Sequence, residues 1–324
     1  MSGIESPHRP VHPWVEEGQH RVRFGVQVPG RLAWPAFLDT VREVEALGFD
    51  GLWTMDHPLT AARDCWVTLA AAALHSSRLR LGSMTSCIYY RPSVVLARMA
   101  ADVDHLSNGR LVLGLGAGDS VEEFARMGLP FPSIRQRQEG LEETVQIVRG
   151  LWGAAPFTFH GQHFQVEAAL VRPTPQQPSV PVLIAGGGER VTLRQVAQYA
   201  DMANFGPHAW VGSAVTIADV ERKCLVLRQH CERLGRPYGA ILRSHYAFVL
   251  LAKTRTELEA KLAAIPKETL DFWGTILIAG TPDEVSAYYR SLVAAGMQYF
   301  VAVLQGDVHE TLELLGTRVM PEVG

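Results

Sequence analysis

Four short stretches of this 324-residue chain carry residue types whose spacing could support chemistry. "WTMDHP" sets Asp56 beside His57. A carboxylate next to an imidazole can orient the ring and stabilise its protonated form, as proton transfer requires. Position alone leaves a second reading equally open: a cap-like Asp with a buried His. "MTSCIYYRP" offers the small polar set Thr85, Ser86 and Cys87, then Ile88, Tyr89, Tyr90 and Arg91. It reads as a pocket wall or as a wide loop with an aromatic plug. "GLGAGDS" places Gly114, Gly116, Ala117 and Gly118 before Asp119. Alternate glycines clear side chains where a flat group must approach backbone, but the spacing is not the dinucleotide fingerprint. "AGGGERVTL" runs Ala185, Gly186, Gly187 and Gly188 directly towards an expected helix. Amides at the positive end of a helix dipole make an anion site, with a plain turn as the alternative.

These stretches share one position. Each follows an apolar run that reads as a strand and precedes an amphipathic helix. The strand runs are Arg21–Val28, "FDGLWTM", "RLRLGSMTS", "RLVLGLGAG", "VPVLIAGGG", "DMANF", "ILRSHYAFVLLA" and "QYFVAVLQG". They are near-continuous rather than alternating, as strands buried on both faces of a parallel sheet are. Eight β-then-α units without a linker predict a (β/α)₈ barrel over residues 21–324, preceded by an extension over 1–20. A doubly wound sheet is the structural rival, and no glycine-rich turn with a later acidic residue follows the first strand to support it. Surplus chain falls at 119–134, 153–179 and 266–280. The first and third follow strands and are expected as lids at the C-terminal mouth, where barrel active sites form. The second contains an expected hairpin, "TFHGQHFQV", and its His160 and His163 read as surface hairpin residues, not metal ligands.

Composition narrows the class. The hydrophobic fraction is 47% and the charged fraction 19%, which excludes a disordered chain. Net charge is −3 with no basic block, so nucleic acid is not an expected partner. No apolar run is long enough to span a bilayer, and the N-terminal stretch has no apolar core of a secretory signal. Four scattered cysteines form no CxxC pair and fit reduced thiols in a cytoplasm.

Taken together, "LGFDGLWTMDHP", "LSNGRLVLGLGAGDS", "RQEGLEETVQIVRGLW", "VLIAGGGERVTLRQVAQYADMANF" and "GTPDEVSAYYRSLVAAGMQYF" resemble the bacterial-luciferase-like flavin-dependent oxidoreductases. Within them they resemble the branch that uses the deazaflavin coenzyme F420. The resemblance spans about Arg23 to Gln305. It implies a (β/α)₈ barrel with insertions, a homodimer, and hydride transfer between coenzyme F420 and a small organic substrate. It implies His57 and Asp119 as catalytic residues, with Asp119 standing where some members have Glu. It implies Asp56, Thr85, Ser86, Cys87, Ile88, Gly116, Ala117, Gly118, Ala185, Gly186, Gly187 and Gly188 around the coenzyme, and Tyr89 and Asn204 towards substrate. It also implies a non-prolyl cis peptide at Cys87-Ile88. Arg190 and Arg194 are expected to be available to the coenzyme's acidic tail. The alternatives are an FMN-dependent two-component monooxygenase of the same family, or a barrel that binds without turnover. The dimer is expected on the two helices "CWVTLAAAALHSS" and "SVVLARMAADVDHLS".

Overall fold

The computed structural model describes residues 10–324; the first nine residues of the expected extension lie outside the described residues. In chain order the strands are β1 (Arg23–Gln27), β2 (Gly51–Thr54), β3 (Arg80–Ser83), β4 (Ser86–Cys87), β5 (Leu111–Gly116) and β6 (Phe157–His160). They continue with β7 (Gln165–Ala169), β8 (Val182–Ala185), β9 (Met202–Phe205), β10 (Leu242–Leu251), β11 (Leu277–Gly280) and β12 (Tyr299–Leu304). The helices are α1 (Pro13–Glu17), α2 (Trp34–Ala46), α3 (Cys65–His75), α4 (Ser93–Leu106), α5 (Val121–Arg126), α6 (Ile134–Leu151) and α7 (Thr192–Tyr199). After them come α8 (Ile217–Leu234), α9 (Arg255–Ala263), α10 (Lys267–Trp273), α11 (Pro282–Ala294), α12 (Val308–Leu314) and α13 (Met320–Val323).

Eight parallel strands close on themselves in the order β1, β2, β3, β5, β8, β9, β10, β12 and back to β1. These are the eight runs read from the sequence, so the fold is the expected (β/α)₈ barrel. Alternate residues of each strand face two cores. Leu183, Met202, Leu242 and Val301 point inward, while Ile184, Ala203 and Phe300 meet the helices. That two-sided burial is why the strands read as continuous apolar runs.

The barrel interior is plugged from its N-terminal end. Trp53 donates its indole N–H to the hydroxyl of Tyr299 at 3.1 Å. The rings fit because three neighbouring strand positions are glycine. A Cβ on Gly25 would lie 2.4 Å from Trp53, on Gly51 2.7 Å from Tyr299, and on Gly82 2.1 Å from Trp53. Helix α1 closes the floor below them. Its buried Trp14 donates to Asp50 at 3.1 Å, and Arg23 donates to the Trp14 carbonyl at 2.6 Å. The described part of the extension therefore packs as the barrel's base.

The surplus segments acquire definite shapes. The first contains α5, and the second folds as the antiparallel pair β6–β7. The third contains α10 and β11, a strand the sequence reading missed. Strand β11 pairs in parallel with Phe248–Leu251, the end of β10 that runs beyond its pairing with β9. Among the described residues, no helix is long and apolar enough to cross a membrane.

Candidate active site

The C-terminal ends of the strands gather the stretches singled out above, and several of their side chains have contacts other than those expected. His57 follows β2, half-buried, and its Nδ1 lies 2.7 Å from Oε2 of Glu123 in α5. Glu123 is 2% exposed. Its other contacts are the Tyr90 hydroxyl, which donates at 2.8 Å, and the Leu59 amide, which donates at 3.1 Å. Burial pushes the Glu123 carboxyl up, but the bonds from His57, Leu59 and Tyr90 outweigh it and hold the group below its ordinary range. Glu123 is thus a carboxylate that only accepts, so Nδ1 of His57 carries the proton and Nε2 is left to exchange one.

Sequence reading passed over Glu123. The available signal was Ser120 followed three residues later by Glu123, the capping pattern at a helix start. Ser120 does cap α5, its hydroxyl accepting from the Glu123 amide at 3.2 Å. The pattern locates the helix but does not reveal that the Glu side chain turns towards His57.

Asp56 is buried, and both of its oxygens are taken by Arg91, at 2.5 and 2.9 Å. That bidentate clamp ties the β2 end to the loop after β4. Asp119 is exposed on the loop after β5 and, among the described residues, takes no hydrogen bond from another protein group.

The non-prolyl cis peptide lies at Met84-Thr85, not at the expected Cys87-Ile88. The irregularity sits where β3 ends, before the chain resumes pairing as β4, with Ser86 opposite Leu115 and Cys87 opposite Gly116. The family pattern marked the bulge but misplaced its turning point along the chain. The bulge also explains the β5 glycines. A Cβ on Gly114 would lie 1.9 Å from the Ser83 carbonyl oxygen, and one on Gly116 2.4 Å from Thr85 Oγ1. Those glycines make room for the protein's own chain, so the expected space for a flat ligand at these two positions is filled. Gly118 has a φ of +81° and abuts Cys87 and Phe124, with Ala117 half-buried before it. Cys87 and Ile88 are buried, and burial pushes the Cys87 thiol up to about 12, so it packs and does not react.

Tyr89 is half-buried beside α5. It packs on Phe124 and Phe164 and donates to the Gln136 carbonyl at 3.2 Å. Asn204 is buried inside the barrel, its Oδ1 accepting from Ser244 at 2.9 Å.

The glycine loop after β8 does not open directly into a helix. Residues 189–191 make a turn, and α7 begins at Thr192. Gly186 follows Ala185 with a φ of +115°, and its amide donates to Asn204 at 2.8 Å. Gly187 sits against Gly212, where a Cβ would meet the Gly212 carbonyl at 2.6 Å. Its own carbonyl accepts from the buried ammonium of Lys223 at 2.7 Å. Among the described residues, the amides of Gly187 and Gly188 have no protein acceptor. Of the two expected tail-binding arginines, Arg194 is committed to Glu142 and Gln198. Arg190 is exposed and forms no ion pair among the described residues.

A cavity of about 310 Å³ opens between the ends of β1, β2, β10 and β12, walled in part by Met55, Thr60 and Ala61 of the loop that carries His57, though not by His57 itself. Thr60 and Ala61 line it, and their amides donate to the His57 carbonyl at 3.3 and 2.9 Å. These bonds tie the backbone that carries His57 to the cavity wall, while the ring itself is held by Glu123.

The family described as Luciferase-like monooxygenase matches residues 19–274. An F420-dependent glucose-6-phosphate dehydrogenase of Kineococcus radiotolerans is 33% identical over 224 residues, which is 67% of this chain and 62% of that protein. The chain thus spans about three fifths of that relative's length. In fold, the chain is similar to the coenzyme F420-dependent tetrahydromethanopterin reductase of Methanopyrus kandleri. That likeness has a TM-score of 0.78 at 21% identity, covering 94% of this chain and 100% of that one. It is also similar to monooxygenase RslO1 of Streptomyces bottropensis, with a TM-score of 0.77 at 19% identity, covering 93% and 100%.

Proposed function

The chain belongs to the luciferase-like monooxygenase family, and from that premise we propose that it transfers a hydride between coenzyme F420 and a small organic substrate. The observation that carries the reading is the Glu123-held imidazole of His57 on the loop after β2, which also walls an open cavity at the barrel mouth. The F420-dependent relative supports the choice of coenzyme.

The residues present fit the coenzyme. The amides of Gly187 and Gly188, without a protein acceptor among the described residues, would hold its phosphate. Arg190 would meet the acidic tail, and the Met84–Cys87 bulge would back the ring. Bound there, the deazaflavin supplies the carbon that gives or takes the hydride. His57 holds or releases a proton at Nε2 while Glu123 fixes the opposite nitrogen and balances the charge of the imidazolium. Asp56 and Arg91 brace the loop that carries His57. Asp119, exposed on the neighbouring loop, is the second proposed proton donor.

Titration with each cofactor at moderate salt tests the reading. Micromolar binding of F420, seen in its own fluorescence, and hydride transfer in a single turnover are expected. Binding of reduced FMN with oxygen consumption and no response to F420 would instead support the monooxygenase. Binding of F420 without turnover would support a barrel that only binds.

Two further features belong to this reading. Val67 and Leu74 on α3 and Val95 on α4 are exposed on neighbouring helices, and we assign that face to a homodimer. A light-scattering mass of one chain at micromolar concentration would refute it. The four cysteines are unpaired, which supports a reducing, cytoplasmic setting.

A further inference from the structure

The cavity between the ends of β1, β2, β10 and β12 has an uneven chemical lining. Trp53, Phe248 and Val303 supply an apolar floor, and among the described residues the only charged ones on its wall are Arg31 and Arg63. Neither arginine forms an ion pair among the described residues.

Arg63 reaches from the loop after β2 to the loop after β1. It donates to the carbonyls of Pro29 at 3.3 Å, Gly30 at 3.2 Å and Leu32 at 2.5 Å. Its guanidinium lies 4.4 Å from the Phe37 ring centroid. A guanidinium has five N–H donors, so these three bonds leave one on Nη2 and the one on Nε. The Nε atom is buried and has no hydrogen-bond partner among the described residues. The Nη2 donor is left for an acceptor such as an oxyanion oxygen, and engaging the enclosed Nε as well would need the side chain to shift. Burial lowers the Arg63 pKa, and no acidic neighbour offsets it. Arg31 is exposed at the rim and donates to the Gly306 carbonyl at 2.6 Å. Two positive charges therefore face one cavity with no described carboxylate on its wall, and one of them holds an unused buried donor.

We propose that Arg63 and Arg31 bind an oxyanion group of the substrate, a phosphate or a carboxylate, while its uncharged part lies on Trp53, Phe248 and Val303. This rests on the oxidoreductase reading only for the word substrate; the anion subsite itself is a property of the cavity.

The test uses the full chain without coenzyme. Trp53 is in the cavity wall, and the Trp34 ring centroid is 5.4 Å from the Arg63 guanidinium carbon, so tryptophan fluorescence reports occupancy. The probes are inorganic phosphate, gluconate and glucose. A saturable change with phosphate or gluconate, at least tenfold tighter than with glucose, is expected. The arm that binds assigns the oxyanion. Arg31→Gln and Arg63→Met should each weaken it at least tenfold and leave F420 binding within twofold. Arg63 also staples two loops, so the exposed Arg31→Gln variant keeps the test sound if Arg63→Met misfolds. Equal binding of glucose, no binding of either anion, or anion binding unchanged in Arg31→Gln would overturn the proposal. F420 binding is read separately. Its absence alongside intact anion binding would overturn the oxidoreductase reading and leave the subsite standing.

Discussion

Nδ1 of His57 and Oε2 of Glu123 stand 2.7 Å apart, although 66 residues separate them along the chain. The loop after β2 supplies the imidazole, and α5, in the first surplus segment, supplies the carboxylate. That segment, expected as a lid over a pocket, thus contributes a group that holds the catalytic candidate in one tautomer and one orientation.

Glu123→Gln keeps the shape of the side chain and removes its charge. Turnover should fall by about 10-fold to 10²-fold, since a general acid–base group is typically worth about 10²–10⁴ and here is only mispositioned. F420 affinity should stay within a few-fold and the melting temperature should change little. A variant that loses turnover only in proportion to its loss of folded protein would make Glu123 merely structural.

His57→Ala should lower turnover by about 10² or more, the usual cost of a positioned acid or base. Coenzyme affinity, measured by fluorescence titration, should stay within a few-fold because the glycine loop and the β3 bulge remain intact. If affinity and rate fell together, His57 would be a binding residue.

His245 is 1% exposed on the helix-facing side of β10, and neither ring nitrogen has a hydrogen-bond partner among the described residues. Burial depresses its pKa from 6.5 to about 4. The unfolded chain therefore takes up this proton first, so the contribution to stability is full above about pH 6.5 and is lost as pH falls towards 4. Each tenfold drop in proton affinity on folding corresponds to about 1.4 kcal/mol, so the loss is about 3 kcal/mol. His245→Phe should flatten the fall in unfolding free energy between about pH 7 and 4.5. Some dependence will remain, because burial and the neighbouring Arg80 also hold His12 below its ordinary value. Identical slopes for variant and parent in denaturant titrations would count against this.

Gly114→Ala should be severe for its size. The added methyl would lie 1.9 Å from the Ser83 carbonyl oxygen, a backbone atom that cannot swing aside. Overpacking of this kind typically costs about 1–3 kcal/mol, and more where backbone must shift. Thermal unfolding should show a clear drop, whereas Gly128→Ala, with open space around its Cβ but a φ of +70°, should lose only the cost of backbone strain. Equal stability of the parent and Gly114→Ala would show that the bulge can relax.

The barrel was legible in the sequence because its strands are buried on two faces and its helices on one. Each preference leaves a local record: "VPVLIA" is apolar throughout, and "RQEGLEETVQIVRGLW" is apolar at helical spacing. Strand β11 escaped because its four residues are short and alternate in burial, so only pairing with the extended end of β10 makes them a strand. The mouth was legible in outline too, since the ends of β2, β3, β5 and β8 must converge once the barrel closes. Direction was not. Whether Gly114 clears space for a ligand or for the Ser83 carbonyl, whether Asp56 faces a cofactor or Arg91, and which acid meets His57 all depend on side chains brought together from distant parts of the chain. Local residue types determine which elements form. Which groups end within hydrogen-bonding distance is decided by how those elements pack, because a carboxylate 66 residues away leaves no periodic trace beside the histidine it holds.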